Sequence, residues 1–222
     1  MKQSKARLKQ RARRIVDRLK KLYPEAKTAL RHEDPFQLLV ATILSAQCTD
    51  ARVNMVTPGL FRKYPTPQHF AVVEPKELED EIRSTGFFRN KTKNIISASK
   101  SIVGRFNGTV PNTMEELLQL GGVGRKTANC VLGGAFGINE GVVVDTHVER
   151  LSQRLGLSKQ TTAEKIEKDL MEIIPKDDWY GISNMLILHG RVVCIARKPN
   201  CPGCDLRRMC PSAERFMKKF YG

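Results

Sequence analysis

The sequence lacks any apolar run near the roughly 18 residues that a membrane-spanning helix needs. Its longest such run, residues 36–46, is already interrupted by Gln37 and Thr42. No apolar core follows the basic start, so a secretory signal is not expected. Repeats, low-complexity tracts and long linkers are missing too, and 41% hydrophobic with 27% charged residues excludes wholesale disorder. Acidic residues are the scarce class: 23 Asp plus Glu stand against 38 Lys plus Arg, a net charge of +15 over 222 residues. These absences leave a soluble intracellular protein of one large or two small domains. Its positive charge calls for a polyanionic partner, and nucleic acid comes first.

The charge is concentrated at the ends. Residues 1–21 hold ten basic groups and one acidic group, and residues 191–222 hold eight and two. Between them, residues 22–190 balance at twenty of each sign. A solvated tail would account for the first segment. Against that, Leu8, Ala12, Ile15, Val16, Leu19, Leu22 and Tyr23 recur at helical spacing, a stripe that predicts a docked helix. A second asymmetry lies inside the chain. Residues 82–114 contain Arg83, Arg89, Lys91, Lys93, Lys100 and Arg105 but no acid, directly after Glu74, Glu77, Glu79, Asp80 and Glu81. This separation suggests one surface turned to a polyanion and another to water, although two solvated helix faces would read the same.

Helical patterns fill almost the whole length, so the fold class is all-α. Asp34 before Pro35 marks an N-cap and first helical turn, opening an apolar and therefore central helix to about Gln47. A helix over residues 50–56 is expected to break at Thr57-Pro58-Gly59. An acidic helix over 76–85 stops at Gly86, and the next, over 91–103, stops at Gly104. Thr113 with Glu116, and Thr161 with Glu164, read as capping boxes. Only residues 142–144, three consecutive valines, look extended.

Four of the six cysteines, Cys194, Cys201, Cys204 and Cys210, fall within residues 194–210, separated by gaps of six, two and five. Four thiolates on one short loop can surround a metal centre, either zinc or an iron–sulfur cluster. Spacing does not decide between them, though the wide gaps suit a bulkier cluster better than paired zinc knuckles. Disulfides are disfavoured in a chain with no mark of an oxidising compartment. Arg197 and Lys198 lie in the first gap, where a metal would hold them in a fixed shape for phosphate binding. Cys48 and Cys130 sit in apolar helical patterns and read as inert core residues.

Gly121-Gly122-Val123-Gly124-Arg125-Lys126-Thr127 joins one helix to another. Glycines allow positive φ and close approach of another chain, and the next helix offers unpaired N–H groups at its positive dipole end. In a strongly basic protein this pattern points to contact with a DNA backbone. Lys126 occupies the first turn, an unfavourable place for a cation. A dry setting there would favour a neutral, nucleophilic amine, whereas a plain phosphate-touching lysine is the simpler reading. Asp145, after the valines and ahead of Thr146 and Glu149, reads as an N-cap.

Taken together, the hairpin with Lys126, Asp145 in Val-Asp-Thr-His, Leu188-His189-Gly190-Arg191 and the cysteine gaps closely resemble the helix–hairpin–helix DNA glycosylase family with an iron–sulfur cluster. The likeness is to its bifunctional glycosylase/AP lyase branch and spans residues 34–211. The resemblance implies two helical domains with a DNA-binding cleft between them. One is a six-helix barrel over residues 28–138 that carries the hairpin. The other joins the N-terminal helix of residues 1–27 to residues 139–222 and holds a 4Fe–4S cluster on the four cysteines. It implies base-excision repair of oxidised pyrimidines: Lys126 attacks C1′ of the damaged nucleoside, Asp145 assists, and the Schiff base permits β-elimination on the 3′ side. It further implies DNA contacts from Gln47, which fills the gap left by the flipped base, from Phe87 as an intercalating wedge, and from Gly122, Gly124, Arg125, Thr127, His147, Arg197 and Lys198. The partner is then double-stranded DNA with damaged pyrimidines or abasic sites, met by a monomer without a membrane. The setting would be the nucleoid-associated cytoplasm of a bacterium or archaeon.

Two positions depart from the family pattern. Phe87 stands where leucine is common, and Gly121 where the hairpin usually has proline, so the loop should be costlier to order. Two other functions compete. An adenine-removing mismatch glycosylase of the same family is weakened by Lys126, by Asp-Thr-His in place of Asp-Gly-Asn, and by the expected absence of a large C-terminal domain. A non-catalytic DNA-binding iron–sulfur redox sensor would bind without cutting.

Overall fold

A computed structural model describes residues 4–222. Lys2, counted above in the basic N-terminal segment, lies outside the described residues. Among the described residues the regular structure is entirely helical. In chain order the helices are α1 (Lys5–Leu22), α2 (Pro35–Leu44), α3 (Asp50–Lys63), α4 (Pro67–Val72), α5 (Pro75–Ile82), α6 (Phe88–Arg105), α7 (Met114–Leu117), α8 (Arg125–Ala135), α9 (Thr146–Arg154), α10 (Ala163–Ile173), α11 (Trp179–Val192) and α12 (Ala213–Phe220). None is long and apolar enough to cross a membrane. The chain divides into two compact units, Thr28–Ile138 and the N-terminal segment to Lys27 joined with Asn139–Gly222.

The unit Thr28–Ile138 is built around α2. Asp34 caps this helix by accepting from the Gln37 N–H at 2.8 Å, with Pro35 in the first turn. Every residue from Leu38 to Leu44 is buried, which is why the sequence shows no polar stripe there. The helix ends at Leu44, three residues short of the expected Gln47. Its neighbour α3 runs straight through Pro58 instead of breaking there. Val53, Thr57 and Leu60 are each at most 1% exposed and lie on one face, so core packing outweighs the roughly 3 kcal/mol penalty of an internal proline. The acidic helix is likewise shorter than expected, since α5 ends at Ile82 and a 3₁₀ turn (Arg83–Thr85) completes it.

The other unit is where the basic N-terminal stripe docks. Ser4 caps α1, whose Ala12, Ile15, Val16 and Leu19 are buried with Val148 and Leu151 of α9, Ile166 and Leu170 of α10, and Ile182 and Leu186 of α11. Burial of each such aliphatic side chain contributes roughly 1.5–3 kcal/mol, enough to hold the helix despite its charge. The valines 142–144 are buried but form no strand among the described residues. They serve as an apolar lead-in that brings Asp145 to the start of α9. The cap of α10 is Thr162, one residue beyond the expected Thr161.

Candidate functional site

The glycine hairpin is seated on α6. Gly122 has φ +74, and a Cβ there would fall 2.6 Å from Cβ of Asn94. A Cβ at Gly121 would lie 2.7 Å from the Ser97 side chain and 3.1 Å from the Asn94 carbonyl. Glycine in place of the family's proline is therefore a steric match to Asn94 and Ser97, beyond any change in loop entropy. At Gly124 no atom lies within 4 Å of where a Cβ would stand, so its backbone is open to another molecule. This residue is the N-cap of α8 and has no side chain to bond the first-turn N–H groups.

Arg125 and Lys126 are exposed and Thr127 is half-buried in that first turn. The dry setting expected for the amine is thus not supplied here, because Lys126 stands in solvent. Two further sites in the same unit share an unusual backbone. Gln47 has φ 51 and Phe87 has φ 47, both in the left-handed region that costs a side-chain-bearing residue about 1–2 kcal/mol. Both are exposed, Phe87 at 61%. Sequence inspection placed Lys91 with the DNA-facing cations. It is instead buried at 3% exposure, while Arg89, Lys100 and Arg105 remain at the surface.

In the other unit Asp145 caps α9. One oxygen, Oδ1, accepts from the N–H groups of His147 at 2.9 Å and Val148 at 2.8 Å. Both bonds fall on Oδ1 of a half-buried residue. His147 Nδ1 lies 3.2 Å from the Arg150 guanidinium, which also donates to the carbonyls of Gly190 (3.0 Å) and Cys194 (3.3 Å). A Cβ at Gly190 would stand 2.9 Å from that guanidinium, which explains the glycine of the Leu-His-Gly-Arg motif.

All four clustered cysteines line one small pocket. All are free thiols, and Cys201 is buried. Burial pushes the Cys204 thiol up to about 11 and raises those of Cys201 and Cys210. Among the described residues no three His, Cys, Asp or Glu side chains are grouped to hold a single metal ion.

Sequence reasoning missed the polar shell of this pocket. Arg154 donates to Cys194 Sγ at 3.3 Å and to the carbonyls of Ile195 (2.8 Å) and Ala196 (2.6 Å). His189, 2% exposed, places Nε2 3.5 Å from Cys204 Sγ and Nδ1 3.0 Å from the Tyr23 hydroxyl. Burial lowers its pKa to about 4. Only the His-Gly pair hinted at this shell, since long-range arginine bonds leave no local pattern. Arg197 and Lys198 are exposed on the loop, with the Lys198 ammonium 5.2 Å from the Tyr221 ring centre.

Residues 40–176 match the model of the HhH-GPD superfamily base excision DNA repair proteins. The chain is similar to an endonuclease III of Synechocystis sp., 60% identical over 93% of this chain and 94% of the relative. It is 45% identical to that of Bacillus subtilis, over 92% and 93%. Among solved structures, a trapped endonuclease III–DNA covalent intermediate matches with a TM-score of 0.88 at 46% identity, covering 94% of this chain and 98% of that one. A non-covalent endonuclease III–DNA complex matches with a TM-score of 0.89 at 45% identity, covering 95% and 98%. A thermostable thymine-DNA glycosylase shares the fold at 19% identity, with a TM-score of 0.84 over 93% of this chain and 98% of that one.

Proposed function

The chain belongs to the HhH-GPD superfamily of base excision DNA repair proteins, and from that membership we propose which of its residues perform its chemistry. The protein is a base-excision DNA glycosylase with AP lyase activity. The observation that carries the assignment is the position of Lys126. It is an exposed amine in the first turn of α8, directly after a hairpin whose Gly124 leaves N–H groups open to a phosphate.

In this reading the hairpin, through Gly122, Gly124, Arg125 and Thr127, holds the DNA backbone. Gln47 and Phe87 fill the stack as the damaged nucleotide is flipped out, a step that costs a few kcal/mol and is easiest at a damaged pair. The neutral Lys126 amine attacks C1′, the glycosidic bond breaks, and the base leaves with the bonding pair and takes up a proton. Asp145 takes the role that the family resemblance gives it, as a proton acceptor and a stabiliser of positive charge on the sugar. Opening of the sugar gives a Schiff base. Loss of a proton from C2′ then expels the 3′ phosphate and nicks the strand. The substrate is double-stranded DNA with oxidised pyrimidines or abasic sites, met by a monomer in the nucleoid-associated cytoplasm, with His147, Arg197 and Lys198 adding backbone contacts.

The cysteine pocket fits a 4Fe–4S cluster held by Cys194, Cys201, Cys204 and Cys210. Its thiols ring a shared space without being grouped around one ion, and Arg154 already donates to one sulfur. When bound, such a cluster would be held by these four thiolates and would fix the shape of the loop. Iron analysis of purified protein is expected to give about four irons per chain, with a brown absorbance lost on substitution of Cys204 by serine. Zinc in place of iron would refute this assignment.

If the loop meets phosphates, replacing Arg197 and Lys198 together by glutamine weakens binding equally for all DNA sequences. It also makes the plot of log affinity against log salt shallower by about 0.9 per lost phosphate contact. An unchanged slope removes the loop from the interface.

The activity itself is tested on duplexes containing thymine glycol or a preformed abasic site. Strand nicking on both, with a covalent adduct under borohydride, is expected. Binding without nicking would restore the redox-sensor reading. The mismatch-adenine reading is not favoured by the endonuclease III relatives.

A further inference from the structure

Lys91 is a buried cation with an unusual pair of partners. It sits on α6 at 3% exposure, and its Nζ donates to the carbonyl oxygens of Leu44 and Thr85, each at 2.8 Å. Leu44 is the last residue of α2, where a helix leaves carbonyls without intrahelical partners and presents its negative dipole end. Thr85 is the last residue of the 3₁₀ turn before Gly86. Neither bonding partner is a carboxylate.

Burying an ammonium without an ion-pair partner is costly, and an apolar side chain of similar volume would serve stability at least as well. The geometry indicates what the charge does instead. Gln47 lies three residues beyond Leu44, and Phe87 two residues beyond Thr85. Both have the left-handed backbone described above, at φ 51 and φ 47, a conformation shared in this unit only by Asn107 among the described non-glycine residues. Such conformations persist only where the surroundings hold them. One ammonium therefore grips the base of both loops, and it does so from the helix that also seats Gly121 and Gly122 through Asn94 and Ser97.

We infer that Lys91 is a positioning residue that sets Gln47 and Phe87 relative to each other, so that both enter the DNA stack as one rigid element. This rests on the reading of those two residues as DNA probes, but the coupling of the loops is a property of the free protein. It can fail separately. Lesion excision needs both probes to displace a base, whereas nicking at an abasic site has no base to displace. Losing the ammonium should therefore harm the first reaction far more than the second.

The test is Lys91→Met in the full-length protein with its iron content verified. It keeps most of the stem and removes the charge. Lys91→Gln, whose amide can still reach one carbonyl, is measured in parallel in case the first variant does not fold. Two readouts are taken. Amide hydrogen exchange without DNA is expected to accelerate in residues 45–48 and 85–88 together. Single-turnover excision of thymine glycol is expected to fall about ten- to a hundredfold, while nicking of a preformed abasic site falls no more than about threefold. Acceleration in neither loop, or in only one, overturns the inference regardless of what the loops do to DNA. Equal losses on both substrates overturn it as well, because they show a general structural defect. If both loops loosen but Phe87→Ala leaves excision unchanged, the probe reading fails and takes the functional part of the inference with it.

Discussion

Substituting Lys126 by alanine is expected to abolish base excision and strand nicking together, lowering both single-turnover rates by at least about a thousandfold. The size of the effect follows from the role. In the proposed mechanism the amine forms the bond to C1′ and the Schiff base that makes elimination possible contains its nitrogen, so both steps disappear with one atom. Stability should hardly change. Lys126 is exposed in the first turn of α8, and removing a cation from that end is neutral or favourable by a few tenths of a kcal/mol. Affinity for damaged DNA should fall modestly, since the hairpin backbone and several other cations remain. Gel-based nicking assays, with thermal denaturation as a control, separate these outcomes. Residual nicking within tenfold of the parent would reassign the nucleophile.

The second large effect belongs to Asp145→Asn, which separates the observed capping role of this carboxylate from its proposed catalytic one. Asparagine and aspartate are near-equal N-caps. The amide oxygen can still accept from the N–H groups of His147 and Val148, so α9 should keep its start and the urea midpoint should barely move. The charge and the basic oxygen are lost, however. Excision is then expected to fall about 10² to 10⁴-fold, the range for a proton acceptor in the transition state. Asp145→Ala removes the cap as well and should cost about 1 kcal/mol of stability in addition. Parent-like excision by the asparagine variant would leave Asp145 a cap and nothing more.

Much of this was legible in the sequence because the decisive signals are local. The stripe of α1, the Asp34-Pro35 start of α2 and the glycine hairpin each follow from spacing within a few turns. Asp145 as a cap was legible for the same reason. Apart from shifts of a few residues at helix ends, the failures are cases where distant packing overrode a local rule. Pro58 looks like a helix end but is carried through by Val53, Thr57 and Leu60 against the core. Lys91 looks like one more surface cation, and only the fold shows that Leu44 and Thr85 close over it. His189 reads as a motif residue, while its meeting with Tyr23, 166 positions away, has no sequence trace. The Gly121 departure looked like a weakness of the loop and is a fit to Ser97. The candidate residues could thus be named one by one from local signals, whereas the packing around them could not.

The central claim is that the Nζ of Lys126 bonds to C1′ of the damaged nucleoside. Borohydride reduction during reaction with thymine glycol duplex, followed by nuclease and protease digestion and mass spectrometry, locates that bond directly. The account predicts a deoxyribose remnant on the peptide containing Lys126, at that side chain and in stoichiometry with nicking. A remnant on another lysine, or rapid nicking with no adduct at all, would contradict it.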